Sequence, residues 1–430
     1  MFSIGSGKDE ARIFLEKHHL DKETLKQIEA IASHPAVEQT RIMPDAHKGN
    51  GCCVGFTCKL TPNVLPGLIG GDIGCGIAMH PLPASAIAKK KSLARLDRII
   101  QNCIPMGNGH DNIHSTSRFQ DAQYDSYFAL AQSQAIAFAE KFKDEFNQNI
   151  QSLVPVYNHD YLHELCSRTG SNYDYDLRAL GTLGGGNHFI EVNQGDNGKA
   201  YLTVHTGSRN IGQCIAQYHY KQASGAINQS DNNVNDDIDT TGVQTNSGVL
   251  SGAKAAAYFF DMIWAQTFAA MNRRAIVSLI LMELGDITYD PNALIESTHN
   301  YIDFRDLIVR KGAIRCHQDE LCVIALNMRD GVLICSGKGN LTWNYSGPHG
   351  CGRIKPRSSA ALKKTRKSDI SAIMRGFQNE MKDVYSTCVV PETLDERPCA
   401  YRDAEIIQDA LAPTAHILCH ARALLNVKGH

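Results

Sequence analysis

No apolar run in this chain of 430 residues approaches the length of a bilayer-spanning helix, so no membrane partner is expected. The first ten residues, Met1 to Glu10, lack the charged-then-apolar layout of a secretory leader. Fourteen cysteines without such a leader predict reduced thiols and a cytoplasmic setting. None of them forms a Cys-x-x-Cys pair, which argues against a structural zinc knuckle. Charge of one sign is also missing. With 43 basic and 45 acidic residues the net charge is −2, which excludes a strongly basic, non-specific nucleic-acid binder but leaves room for a local basic groove. Internal repeats and low-complexity linkers are absent, so one continuous body over residues 1–430 is expected rather than separable domains.

What is present is an alternation of helical and strand-like segments, which predicts an α/β (α+β) class. Asp21 to His34 reads as a helix capped by Asp21, with Leu25, Ile28 and Ile31 on one side. Thr40 to Met43 reads as a strand entering the loop Pro44-Asp45-Ala46-His47-Lys48-Gly49. Helices are predicted over Asp121 to Gln151 and Ala253 to about Leu284, and a basic helical stretch over Ser358 to Met381. Phe189 to Val192 and Tyr201 to Val204 read as strands joined by the turn Gly195-Asp196-Asn197-Gly198. Leu321 to Leu326 and Val332 to Cys335 read as another pair across Asn327 to Gly331. The polar segment 230–251 is expected to be a surface loop.

The segments richest in chemistry are glycine-bearing loops. Asp72 and Cys75, in Gly70-Gly71-Asp72-Ile73-Gly74-Cys75-Gly76, offer one hard oxygen and one soft sulfur ligand. Asn187, His188 and Glu191 follow three glycines in Leu183-Gly-Gly-Gly-Asn187-His188-Phe-Ile-Glu191. His205 ends a predicted strand in Val204-His205-Thr206-Gly207-Ser208-Arg209, and His299 lies in Ser297-Thr-His299-Asn300. Singly, each histidine fits a hydrogen-bonded structural role as well as a ligand role, and Cys75 fits a buried thiol. As a set of carboxylate, thiolate and imidazoles they suit manganese or zinc better than calcium or magnesium. His349 lies in Ser346-Gly-Pro-His349-Gly-Cys-Gly-Arg353, where small neighbours allow close approach and Arg353 and Arg357 could clamp a phosphate. This segment fits two readings: a glycine-rich turn that carries a histidine, or an imidazole that attacks phosphorus.

Asp72-Ile-Gly-Cys75, Gly-Gly-Asn187-His188-Phe-Ile-Glu191, His205-Thr-Gly-Ser-Arg209 and Pro348-His349-Gly-Cys-Gly-Arg353 resemble, in order, the signature motifs of the RtcB family of RNA ligases. The resemblance extends from Pro44-Asp-Ala-His47 to Lys428-Gly429. It implies the RtcB-like fold, a body of mixed β-sheets with helices around them. It also implies joining of RNA with a 2′,3′-cyclic phosphate or 3′-phosphate to RNA with a 5′-hydroxyl, using GTP and two manganese ions. Cys75 would bridge the ions, with Asp72 and His188 on one and His205 and His299 on the other. His349 would become a histidine–GMP adduct. Asn187 would hold phosphates, Glu191 would read the guanine edge, Tyr401 would stack on the base and Lys428 would bind the nucleotide. Arg209, Arg353 and Arg357 would bind RNA phosphates. His47 falls in a family motif without a clear role. The resemblance also leaves room for an activating protein partner.

Two departures from the family pattern bear on the RNA-end contacts: Cys351 stands where alanine is usual, and Ile354-Lys355-Pro356-Arg357 replaces an ending in Met-Ser-Arg. Asn327 to Tyr345 resembles a bacterial branch associated with RNA repair. Two other classes stay open. One is a manganese-dependent cyclic phosphodiesterase that does not ligate and does not need His349. The other is a catalytically impaired paralogue that binds GTP or RNA.

Overall fold

The computed structural model describes residues 1–87, 90–107, 121–225, 248–285, 287–354 and 367–429. Its centre is a seven-stranded sheet in the order β12 (Leu321–Asn327), β13 (Gly331–Gly337), β15 (Ala415–Val427), β6 (Phe189–Gly195), β7 (Ala200–Thr206), β5 (Gly76–Leu82) and β8 (Ile295–Thr298). Every neighbouring pair in it is antiparallel. A six-stranded sheet runs β1 (Phe2–Ile4), β2 (Ala11–Ile13), β3 (Glu38–His47), β4 (Val54–Lys59), β10 (Ile308–Lys311) and β9 (Asn300–Asp303). Only β2 and β3 pair in parallel there. A ribbon of β11 (Ala313–Arg315) and β14 (Ser346–Pro348) completes the sheets and delivers the chain to His349.

Helices surround the sheets, so the α/β class read from the alternation holds. In chain order they are α1 (Lys22–Ala32), α2 (Lys90–Cys103), α3 (Asp121–Phe146), α4 (His159–Thr169), α5 (Tyr173–Arg178), α6 (Arg209–Ser224), α7 (Gly252–Leu284), α8 (Lys367–Glu380) and α9 (Ala404–Leu411). α7 is buried along most of its length and mostly apolar, with Asp261, Asn272 and Arg273 among its buried polar residues. Its first two-thirds, including Phe259 and Trp264, join one apolar core, and Ile276 to Leu281 join a second core beneath the seven-stranded sheet. Among the described residues no helix is long and apolar enough to cross a membrane.

Local chemistry accounts for most element ends. Asp21 caps α1 by accepting from Thr24 N at 2.8 Å, and Ile28 and Ile31 are buried beneath it. β7 is buried along its full length, as expected of a central strand covered on both faces. α3 ends at Phe146 rather than near Gln151, because Asn147 turns left-handed at φ 52° and a separate short helical turn starts at Gln151.

One expectation is corrected. Pro44 to His47, read as a loop, continues β3 to His47. The pairing with β4 breaks register between Ile42 and His47, and that irregularity admits Pro44, which has no N–H for a ladder bond. Of the expected loop 230–251, residues 230–247 lie outside the described residues, while Leu250 pairs with Val64. Arg357 and the start of the basic stretch, up to Arg366, also lie outside them, and α8 occupies most of the remainder.

Candidate active site

Four neighbouring strands place one cluster of ligand-bearing side chains. Cys75 immediately precedes β5, His188 precedes β6, His205 sits near the end of β7 opposite both Phe189 and Ile77, and His299 lies between β8 and β9. The loop before β5 is held by Gly74 N donating to Asn300 O at 2.7 Å, and His299 N donates to Cys75 O at 2.8 Å. Gly74 adopts φ +73°, and a Cβ there would lie 2.7 Å from the Ala269 side chain, so α7 packs against this loop only where a side chain is missing.

The resulting distances are short. Cys75 Sγ is 3.5 Å from His188 Nε2 and 3.3 Å from His205 Nε2, while His205 Nε2 is 3.3 Å from His299 Nε2. Asp72 Oδ2 is 2.9 Å from His188 Nε2. Two three-residue sets result, Asp72–Cys75–His188 and Cys75–His205–His299, each with all ligand atoms within 4.8 Å of one another. Cys75 belongs to both.

Their surroundings prepare these groups to act as ligands. His188 Nδ1 contacts Leu183 O at 2.9 Å and His205 Nδ1 contacts Asn187 O at 3.2 Å. Because a carbonyl can only accept, each Nδ1 carries a proton and each Nε2 faces the centre. Burial, aided by neighbouring imidazoles, pushes His205 and His299 well below the usual histidine range, so both are neutral. Burial acts to raise the Asp72 carboxyl, but His188 and other neighbours outweigh it and hold the group below its ordinary value. Burial, with Asp72 adding to it, raises the Cys75 thiol well above its ordinary value. A buried thiol, a carboxylate and three imidazoles converging at these distances could hold metal ions.

Arg273 of α7 ties the ligand-bearing segments together. Its guanidinium, 1% exposed, donates to Gly74 O at 2.7 Å, to Thr206 O at 3.2 Å and to Thr298 Oγ1 at 3.3 Å. Those acceptors adjoin Cys75, His205 and His299 respectively.

His349 leaves β14 beside this cluster, with its ring centroid 4.8 Å from that of His299. Its Nδ1 lies 2.6 Å from Oδ2 of the fully buried Asp45. The same oxygen accepts from His349 N at 3.0 Å and from Gly350 N at 3.2 Å. Asp45 therefore fixes the ring's position and its tautomer, leaving the Nε2 lone pair available. Arg402 braces this arrangement by donating to the carbonyls of Pro44, Ala46 and Cys351. His47 Nδ1 contacts Asp45 O at 2.9 Å, and burial lowers this imidazole to about 4.

His205, His299 and His349 open onto a cleft of about 900 Å³ that also reaches Asn187, Glu191 and Lys428. Glu191, 1% exposed, accepts from Asn193 Nδ2 at 2.9 Å and from Asn426 Nδ2 at 2.7 Å. Burial pushes its carboxyl up to about 7 against those two donors. Lys428, 2% exposed, donates to Asn187 O at 3.4 Å and to Glu396 Oε2 at 3.2 Å. Glu396 also accepts from Tyr401 Oη at 2.6 Å and from Arg353 at 2.9 Å, and the Arg353 guanidinium sits 5.1 Å from the Tyr401 ring centroid. Glu396 thus gathers three sequence-predicted residues: Arg353, Tyr401 and Lys428. Arg209 lies on the Asp72 side, donating to Thr182 Oγ1 at 3.3 Å. A Cβ on Gly184 would fall 2.0 Å from an Arg209 nitrogen, so only glycine leaves room for that guanidinium. Cys351 is 1% exposed and packs in an apolar cluster with Ile324 and Leu326, so the core absorbs its thiol.

Sequence reasoning missed Asp45, Arg273, Glu396 and Arg402. Asp45 lies inside Pro44-Asp-Ala-His47 and Arg402 directly follows Tyr401, so both could have been singled out there. Nothing local marks Arg273 or Glu396.

Comparison with known proteins agrees with this geometry. The chain is 25% identical over 409 residues to the "RNA-splicing ligase RtcB" of Escherichia coli (strain K12), covering 90% of this chain and 89% of that protein. It is 24% identical over 467 residues to the "tRNA-splicing ligase RtcB" of Aeropyrum pernix, covering 96% and 92%. A family profile described as "RtcB: tRNA-splicing ligase RtcB" matches residues 27–429. With nearly its whole length matched, the chain belongs to the RtcB family.

Proposed function

We propose that this protein is a GTP- and manganese-dependent RNA ligase that joins 2′,3′-cyclic phosphate or 3′-phosphate ends to 5′-hydroxyl ends through a histidine–GMP adduct. The observation that carries the reading is His349, held by Asp45 at 2.6 Å and standing beside His299 in the cleft that Glu191 and Lys428 also line. A buried carboxylate on Nδ1 that leaves Nε2 facing a nucleotide-sized cleft orients an imidazole for attack, and it would equally orient a metal ligand or a proton carrier. The nucleophilic role therefore rests on the resemblance of Pro348-His349-Gly-Cys-Gly-Arg353 to the family motif. The same resemblance favours ligation over a cyclic phosphodiesterase without ligation, which has no use for His349.

Asp72, Cys75 and His188 would hold one manganese ion and Cys75, His205 and His299 the other, supplying positive charge to phosphate oxygens. The chain's own groups divide the remaining work. His349 Nε2 forms a bond to the α-phosphorus of GTP as pyrophosphate departs, while Asp45 accepts the Nδ1 hydrogen bond and stabilises the charge that grows on the ring. An oxygen of the RNA 3′-phosphate then takes the GMP, the N–P bond breaks and neutral His349 is restored. Attack of the 5′-hydroxyl on the activated RNA phosphate releases GMP and seals the strand. Glu191 accepts donors on the guanine edge, Tyr401 stacks on the base, and Lys428 and Asn187 hold the nucleotide. Arg209, Arg353 and Arg357 serve the RNA phosphates. The Asn327 to Tyr345 segment inclines the reading toward RNA repair rather than routine tRNA splicing, with residues 1–430 forming one catalytic unit.

The test is covalent labelling. With α-labelled GTP and manganese, native protein should acquire acid-labile label and His349→Ala should not. An unlabelled native protein would refute the adduct mechanism, and label persisting on the variant would refute His349 as its site.

A further inference from the structure

We infer that Lys311 is the anion-holding residue of a phosphoryl subsite on the wall of the cleft formed by the six-stranded sheet. Lys311 is the last residue of β10 and lines the cleft together with Asn50, Asn300 and His349. Its side chain is 6% exposed, and its ammonium donates to Asn50 O. Among the described residues no carboxylate pairs with it, although Lys428 across the cleft has Glu396 and Arg310 next to it has Asp303. A buried ammonium whose near neighbours are one carbonyl and two thiols is costly to keep charged, and an arriving anion would offset that cost.

The surroundings indicate which anion. Gly312, the next residue, has a Cβ position only 3.1 Å from His349 Cε1. On the other side, a Cβ on Gly70 would lie 3.8 Å from the Lys311 Nζ, so the ammonium faces the loop that carries Asp72. Lys311 therefore precedes the glycine that abuts His349 and directs its ammonium toward the loop that carries Asp72, within the same cleft. Glu191, Asn426 and Lys428 belong to the seven-stranded sheet or follow it directly, so this cation is separate from the nucleotide seat. The shared chemistry is a phosphoryl dianion, supplied either by the RNA 3′-phosphate or by the terminal phosphates of GTP. Burial lowers the ammonium's proton affinity, and the buried thiols of Cys52 and Cys53 act in the opposite sense. Cys52, which acts on the ammonium more strongly than Cys53 does, is the competing partner that the test separates.

The assignment of the source rests on the ligase reading; the anion subsite itself does not. Full-length Lys311→Met, Lys311→Arg and Cys52→Ser proteins, each checked by thermal melting, are compared with native protein. Oligoribonucleotides ending in 3′-phosphate or 3′-hydroxyl are bound at several salt concentrations, and inorganic pyrophosphate is used as a competitor. If the RNA phosphate is the source, Lys311→Met loses the preference for the 3′-phosphate end by about tenfold or more, lowers the salt slope by about one and labels His349 as native protein does. If GTP is the source, end preference is kept and the GTP concentration for half-maximal labelling rises by about tenfold. In either case Lys311→Arg retains most of the function and pyrophosphate competes less well against Lys311→Met. Unchanged binding, labelling and pyrophosphate competition in Lys311→Met would overturn the subsite. So would Cys52→Ser reproducing the Lys311→Met defects, since the ammonium would then serve the thiolate. If native protein takes no label, the ligase reading fails and the pyrophosphate arm still decides the subsite.

Discussion

Replacing Asp45 by Asn tests the proposed nucleophile most directly, because it changes charge and hydrogen-bonding sense with almost no change in volume. One carboxylate oxygen accepts three hydrogen bonds, from His349 Nδ1, His349 N and Gly350 N. The two backbone bonds are the same before and during attack, so they govern stability and placement rather than rate. The Nδ1 bond does change, because the ring gains positive charge as Nε2 bonds to phosphorus. Two unit charges about 4 Å apart at an effective dielectric of about 20 attract by about 4 kcal/mol, and a half-developed charge gives about 2 kcal/mol. Exchanging a charge-assisted hydrogen bond for a neutral one removes about 1 kcal/mol more. A total of about 3 kcal/mol predicts a fall of roughly a hundredfold in the rate of His349 labelling by GTP. Asp45 is fully buried and His349 is 20% exposed, so solvent screening trims this figure only modestly. The assay is single-turnover labelling at saturating GTP, with thermal melting and GTP affinity as controls. A folded Asp45→Asn protein labelling within about threefold of native, with normal GTP affinity, would refute the role given to Asp45.

Other consequences follow from the same geometry. Cys75→Ala should abolish binding at both proposed ions, whereas Asp72→Ala should spare the set made by Cys75, His205 and His299; manganese titrations followed by electron paramagnetic resonance give the stoichiometries. Glu191, raised to about 7, is predominantly charged only above neutrality, and a charged carboxylate is the better acceptor for guanine-edge donors. Its pKa is raised in the folded state, so its ionisation works against folding as pH rises from about 4.5 to about 7, while GMP affinity should rise about tenfold between pH 6 and 8. Glu191→Gln should flatten that rise, and calorimetric titration of both proteins cancels any proton effects they share. Arg273→Met should destabilise the fold by about 3 kcal/mol, since three buried acceptors lose their donor while Glu296 keeps Arg274; chemical denaturation measures it, and a loss below about 1 kcal/mol would sink the stapling role.

How far the sequence discloses this structure depends on whether the cause is local. Asp21 caps α1 through a residue three positions away, and Gly195 to Gly198 turns β6 into β7, so both were legible in short windows. The strand through Pro44 was not, because a proline and a polar pair read as a loop unless the register break with β4 is known. The ligand candidates were visible as residue types in glycine-bearing loops beside predicted strands, while their grouping was implied by the family resemblance and not by any local pattern. That grouping depends on β5, β6, β7 and β8 lying near one another in a sheet whose order departs from sequence order. Asp45 and His349 are 304 positions apart, and Arg402 reaches Ala46 across 356. No periodicity reports contacts of that span.

The charge layout of the cleft would give a nucleotide, bound as proposed, a direction. One end holds Glu191 and Glu396, both buried, with the cations Lys428 and Arg353 already engaged by Glu396. A triphosphate entering there would meet Glu191, whose bonds come from neutral amides, and cations that are already neutralised. A purine edge that donates hydrogen bonds meets the Glu191 carboxyl instead, while Glu396 is already engaged by Lys428, Arg353 and Tyr401. The other end holds His349, the ligand cluster and Lys311, whose charge has no carboxylate partner among the described residues. Phosphates are therefore favoured toward His349 and a donor-bearing base toward Glu191. This orientation follows from where carboxylates are paired, and it leaves Nε2 of His349, rather than a ring already tied up by metal, as the nitrogen that faces phosphorus.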